Sequence, residues 1–334
     1  MKKELGIGGL LLALCVTLAL VPNSHFLSAA NLRNQAQLIG MFGIFSIGMG
    51  IVIITGGIDL SVGSVFALQG VILSILLVDQ HWPWPLATLA VIAGVILLGA
   101  VHGFLVAKMQ LQPFIVTLCG LLIYRGLARY IAGDETKGFG DDNFGWLRPI
   151  AAGYLGPIPS SFVILIVVTI IMFIVLHRSV YGRYLFAVGR NEEAAKFSGI
   201  NTSLVIGSAY ALSMVLTAIS GIILAFYTNS VSPSGHGTFY ELYGIAAAVL
   251  GGCSLRGGEG SIIGILLGTA LLQVLQNLVN LLGIPSSLNF AVMGTVILMG
   301  VLTDQLLSRR ASRRKAAVPV AGSASPSPVT SGSV

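Results

Sequence analysis

Between Leu38 and Val78 the chain places a single charged side chain, Asp59, inside the stretch TGGIDLSVGS at residues 55–64. Charges stay sparse across 38–131 and 205–302, and that sparseness decides the fold class. A water-soluble chain of 334 residues needs a charged surface, which these regions cannot supply. Charged residues are 9% of the whole, against about 25% in a soluble globular protein. The expected fold is therefore an all-α polytopic membrane protein embedded in the lipid bilayer.

A hydrocarbon core of about 30 Å takes roughly 20 residues of helix. Ten apolar stretches qualify, near 6–22, 38–55, 58–78, 85–106, 113–131, 161–177, 203–227, 240–252, 260–282 and 288–304. The eighth is short, and the third begins inside the glycine-rich stretch. Together they make a transmembrane domain over residues 1–305, followed by a cytoplasmic tail at 306–334 that is basic and then low in complexity, with the composition of a disordered segment.

The net charge of +6 reads as topology rather than as a nucleic-acid signature. With the N-terminus inside, thirteen of the eighteen Lys and Arg fall on the inner side, from Lys2 and Lys3 to the run at 309–315. Only Arg33, Arg125, Arg129, Lys137 and Arg148 fall outside or near outer helix ends. Both termini are thus expected in the cytoplasm. The start, MKKELGIGGLLLALCVTLALV, reads as an uncleaved first helix, with a removed signal peptide as the alternative. Cys15, Cys119 and Cys253 have no CxxC spacing, so neither a disulfide framework nor a zinc site is indicated.

No catalytic constellation is visible. His25, His81, His102, His177 and His236 are dispersed, mostly at span ends; Asp141 and Asp142 form one acidic pair; and GxxxxGK[ST] is missing. No convergence of His, Asp, Glu or Cys at one depth is expected, and no enzyme activity, cofactor or metal. Any ATP hydrolysis that drives this chain belongs to another subunit.

The spans do carry packing and polar patterns. Gly260, Gly264 and Gly268, and Ser213, Thr217 and Gly221, recur every four residues and suit close helix contact, in a dimer or within one bundle. Gln273, Gln276, Asn277 and Asn280 share one helical face. They suit either interhelical hydrogen bonding or a hydrophilic wall along a pathway for a neutral solute. The segment 133–159 has the composition of an outer docking or lid surface. In the inner loop 177–201, NEEAAKFS predicts a short helix capped by Asn191 and stopped by Gly199, with Glu192 and Glu193 in its first turn.

Three segments carry a family resemblance: TGGIDLSVGS at 55–64, GRNEEAAKFSGIN at 189–201 and YELYGIAAAVLGGCSLRGGEGSIIGILLG at 240–268. Together they resemble the ribose-type sugar permeases of bacterial ABC importers, in the branched-chain amino acid/ribose permease superfamily, over about residues 30–305. The resemblance implies a homodimer or a pairing with a sister permease, in an architecture like that of vitamin B12-type importers. It also implies a cytoplasmic ABC ATPase, an extracytoplasmic sugar-binding protein and a bacterial inner-membrane location. By the same resemblance the loop between spans six and seven fits the ATPase, so Arg190, Asn191, Glu192, Glu193, Lys196, Phe197 and Gly199 are coupling candidates. Related cargoes, such as a furanosyl signalling compound or a nucleoside, stay open, as does an ATP-independent carrier.

Asp59 closes the reading. The span count puts it near the inner end of spans two and three, where Gly56 and Gly57 break one helix and Asp59 or Ser61 caps the next. The alternative is a hinge or gate beside the pathway.

Overall fold

The computed structural model describes residues 2–20 and 25–285, with isolated positions between 288 and 298. The tenth expected span, 288–304, and the expected tail at 306–334 lie outside the described residues, apart from those isolated positions. Helix α1 (Lys2–Leu20) precedes α2 (Ala29–Ile54), which begins nine residues earlier than the hydropathy pattern suggests. Its early turns hold Asn31, Asn34, Gln35 and Gln37, too polar to read as a span. They are helical because Ser28 caps them, its hydroxyl accepting from the Asn31 N–H at 3.2 Å.

Helix α3 (Val62–Ser74) continues as a π-helical turn through Asp79, and α4 (Trp84–Ala107) and α5 (Pro113–Ala132) follow. Proline in the first turn starts both α4 and α5, and Gly133, at φ +65°, ends α5. Short pieces then gather at one face: β1 (Lys137–Gly138), α6 (Leu147–Ala152), β2 (Tyr154–Leu155) and β3 (Ile158–Pro159). Helix α7 (Ser160–Phe173), extended by a π turn to Arg178, crosses to the opposite face, where α8 (Val180–Arg190) and α9 (Glu192–Phe197) lie. Helix α10 (Thr202–Thr228) returns to β4 (Ser230–Val231), which pairs antiparallel with β1 in the register Lys137↔Val231. The chain ends its described course with α11 (Tyr240–Leu250) and α12 (Ile262–Leu281).

Among the described residues, seven helices are long and apolar enough to cross a membrane: α2, α3 with its π turn, α4, α5, α7 with its π turn, α10 and α12. The expected first and eighth spans are not among them, the apolar part of α1 being the shorter Glu4–Leu20. Helix α11 has 11 residues, about 16 Å of rise, or roughly half a hydrocarbon core. The left-handed Phe239 (φ 66°) precedes it, and Gly252 (φ +93°) lies just beyond its end.

Helix α2 forms the centre, packed against α7, α10, α11 and α12, while α4 packs on α10 and α1 on α12. Helices α4, α5 and α7 expose Leu89, Leu97, Ile115, Leu122, Ile166 and Ile170, the surface that lipid would cover. The small-residue runs serve this bundle internally. Gly48 sits against Ser213, Gly221 against Gln69, and Gly264 and Gly268 against the α11 backbone at Gly251 and Ala247.

Candidate functional site

The three segments singled out in the sequence meet at the α8–α9 face. The Ile54 carbonyl at the end of α2 accepts from the Gly258 N–H, in the α11–α12 loop, at 2.8 Å. A Cβ on Gly189 of α8 would fall on that same carbonyl oxygen, and one on Gly257 would come within 2.6 Å of the Gly189 oxygen and 2.9 Å of the Gly56 nitrogen. Backbone therefore touches backbone at 54–57, 189–190 and 257–258. Gly56 (φ +84°) and Gly57 turn the chain there, and Gly57 leaves no room for a side chain beside the Tyr210 hydroxyl.

Helix α9 projects from this junction. The Asn191 Oδ1 accepts from the Ala194 N–H at 2.9 Å, and Gly199 (φ +82°) follows the helix end. Ala195 is buried, whereas Arg190, Glu192, Glu193, Lys196 and Gly199 are exposed and Phe197 is 92% exposed. The structure brings all seven residues of this set to one accessible surface.

Asp59 is fully buried in the α2–α3 connection, and its role differs from the expected cap. Its Oδ1 accepts from the Ser61 N–H at 2.9 Å and the Ser61 hydroxyl at 2.7 Å. Ser61 is the N-cap residue of α3, but its side chain accepts from no helix N–H, being turned toward Asp59. The Thr117 and Tyr210 hydroxyls donate to the neighbouring Ile58 carbonyl at 3.2 and 3.4 Å, which wedges the break between α5 and α10.

A second correction concerns convergence, because buried ionisable groups do gather here. Arg125, two turns before the end of α5, turns its guanidinium inward and donates to the carbonyls of His236 (2.8 Å), Pro233 (3.1 Å) and Gly63 (3.1 Å). Glu241, 6% exposed, accepts from the Gly63 N–H and attracts Arg125. Both polar groups of Gly63, in the first turn of α3, are thus held by side chains of opposite charge, the buried Glu241 and the half-buried Arg125. Asp59 lies within electrostatic reach of Glu241 and of His102, whose Nε2 pairs with the Tyr124 hydroxyl at 2.9 Å. Sequence reading missed this cluster because it is assembled from four separate elements. Among the described residues, no group of three His, Cys, Asp or Glu could hold a metal ion.

The amide stripe of α12 divides by depth. Gln273 and Asn277 are buried, Gln276 is half-buried and Asn280 is exposed. The Asn277 amide donates to the Asn31 Oδ1 at 2.6 Å, joining α12 to the polar start of α2, where Asn34 accepts from the Tyr227 hydroxyl at 3.2 Å. One turn further in on each helix stand Gln35 and Gln273, and the Oε1 of each is buried without a partner. The α2 amides went unnoticed as site residues, although NLRNQAQ carried the signal. Deeper still, Phe42 packs against Tyr240 and Tyr243 of α11 with ring centroids 4.8 and 5.8 Å apart.

The family described as "Branched-chain amino acid transport system / permease component" matches residues 31–301. The chain is similar to the ribose import permease protein RbsC of Bacillus subtilis (strain 168), 38% identical over 298 residues, covering 88% of this chain and 90% of the relative. It is 39% identical over 307 residues to the protein of that name from Escherichia coli (strain K12), covering 88% and 92%. It is also 31% identical over 343 residues to the xylose transport system permease protein XylH of Escherichia coli (strain K12), covering 85% and 87%. No solved structure matches.

Proposed function

Because the chain belongs to the family of branched-chain amino acid-type transport permease components, we propose that it is the membrane permease of an ATP-driven monosaccharide importer, ribose foremost. The observation that carries the reading is the extent of the likeness: two ribose import permeases align with 88% of the chain at 38–39% identity. A pentose such as xylose is the second cargo, favoured by the xylose relative. As a transport permease the chain is not an enzyme.

In this reading the seven long apolar helices, α1, the half-length α11 and the 288–304 stretch make up ten membrane-embedded helices in an architecture of the vitamin B12-importer type. It sits in the bacterial inner membrane with both termini cytoplasmic and pairs with a second copy or a sister permease. An extracytoplasmic sugar-binding protein delivers cargo to the face bearing β1–β4. A cytoplasmic ATPase engages the loop at 177–201, with the exposed Glu192, Glu193, Lys196 and Phe197 as contacts. Three features support that coupling role: α9 is capped and exposed, it follows α8 directly, and α8 rests on the ends of α2 and of the α11–α12 loop through Gly189. ATP-driven motor closure then biases α2, α3 and α11 together, because their connections share one backbone junction. The amide stripe Gln273, Gln276, Asn277 and Asn280 forms one wall of the pathway, and Gly56, Gly57, Asp59 and Ser61 the bend at its inner side. Contacts to cargo stay weak, since tight binding would trap it.

Reconstitution tests the reading. Permease, ATPase and binding protein in proteoliposomes should accumulate labelled ribose only with ATP inside the motor compartment, and Glu192→Lys with Glu193→Lys should abolish ATPase association. Uptake independent of ATPase would return the chain to the carrier class.

A further inference from the structure

Helix α11 stops halfway through the membrane, and the residues facing its inner flank form an unusual combination. Phe42 and Ser46 of α2, Tyr243 of α11, and Thr269 and Gln273 of α12 line a closed cleft that has no room in this conformation for a water molecule. Gln273 is 1% exposed, and its Oε1 has no hydrogen-bond partner. An amide oxygen left that way is unfavourable, whereas a leucine of similar bulk would leave no unpaired acceptor. Thr269, which lines the same cleft, donates its hydroxyl to the Ile265 carbonyl of its own helix at 2.9 Å.

From this arrangement we infer that the space between Tyr243, Phe42 and Gln273 is an occluded subsite for a neutral monosaccharide, opened when α11 withdraws from α2. The inference rests on the sugar-import reading and deepens it. The chemistry fits a polyol: aromatic faces pack on sugar C–H groups, while an uncharged amide and two hydroxyls exchange hydrogen bonds with sugar hydroxyls. No charged side chain lines the cleft, so anionic or cationic cargo finds no counter-ion there. Helix α11 is suited to the movement. It contacts α12 through glycine, with Gly264 and Gly268 against Gly251 and Ala247, and its trailing loop is bonded through Gly258 to Ile54 at the junction with α8. Displacement of α8 thereby reaches Tyr243 through one short loop and a half-length helix.

The test uses the complete transporter in proteoliposomes with radiolabelled D-ribose. Gln273→Leu is expected to keep assembly and binding-protein-stimulated ATP hydrolysis while lowering ribose uptake per ATP about tenfold, as loss of a buried polar contact would. Tyr243→Leu should do the same, and Tyr243→Phe should retain most uptake. Unchanged uptake in both leucine variants overturns the subsite. If Gln273→Leu does not assemble, Thr269→Val, equal in shape, reports in its place, and unchanged uptake there is equally fatal. A wild-type transporter that imports no monosaccharide overturns the import reading and the subsite with it; wild-type import with unimpaired variants overturns the subsite alone.

Discussion

Helices of this chain begin in two kinds of place, and they are started differently. Helices α2, α8, α9, α10 and α12 begin near a face, and each is capped by a neutral side chain: Ser28, Ser179, Asn191, Asn201 and Ser261. Helix α3 begins where Asp59, Ser61 and Val62 have no exposure at all, and α11 begins beside it, Glu241 against Gly63. An acid stands at each of these two starts: Asp59 just before α3 and Glu241 in the first turn of α11. The first N–H groups of a helix lack partners within it and carry partial positive charge. Near a face, water and a neutral cap suffice. At the start of α3 the carboxylates take specific donors, Asp59 the Ser61 N–H and hydroxyl and Glu241 the Gly63 N–H, with the Arg125 charge nearby. The charge cluster thus stands where two helices start inside a membrane.

The largest break in that comparison comes from removing the acid at a buried start. Glu241→Leu leaves the buried Gly63 N–H without its acceptor and Arg125 without the nearby opposite charge, and an unsatisfied buried group of this kind costs about 1–3 kcal/mol. The purified permease should show a clear fall in Tm and poor monodispersity in detergent. Glu241→Gln retains an acceptor oxygen, so its loss should be about half as large. If Glu241→Leu were as stable as wild type, the two buried starts would not be held by charge.

Asp59→Asn sharpens the comparison at the other buried start. Both bonds from Ser61 go to Oδ1, which the amide retains, so assembly is expected to be normal and sugar import to persist. Asp59→Leu removes the acceptor of the Ser61 N–H, and about 1–3 kcal/mol should be lost. Abolished import by a well-assembled Asp59→Asn complex would instead assign the carboxylate a charge-dependent gating role.

How much of this was legible in the sequence follows the range of the interactions. Spans α4, α5, α7, α10 and α12 emerge within a residue or two of the hydropathy reading, because lipid exposure is written locally. The α9 cap was equally legible, since Asn191 and Ala194 are three residues apart. Helix α11 was overcounted as a span because its apolar run continues through Gly251 and Gly252 into a loop that composition does not separate from a helix. The Arg125 cluster was invisible for the opposite reason. Its partners lie at 63, 233, 236 and 241, and only folding makes them neighbours. The α12 stripe could be seen, but its division into buried Gln273 and exposed Asn280 required knowing that α2 covers one end.

The smallest effect belongs to a start near a face. Asn191→Ala removes the one side-chain bond that caps α9, and such substitutions cost about 1 kcal/mol of helix stability. That loss should stay local, because α9 is six residues long and largely exposed, with Ala195 as its buried foothold. Global Tm should therefore be unchanged, in contrast to Glu241→Leu, while hydrogen exchange at the Ala194 and Ala195 amides speeds up several-fold. Asn191→Asp keeps the acceptor and suits the helix N-terminus, so exchange should return to the wild-type rate. A global loss of stability in Asn191→Ala would mean that starts near a face are no more independent of the bundle than buried ones, and the distinction between the two classes would fail.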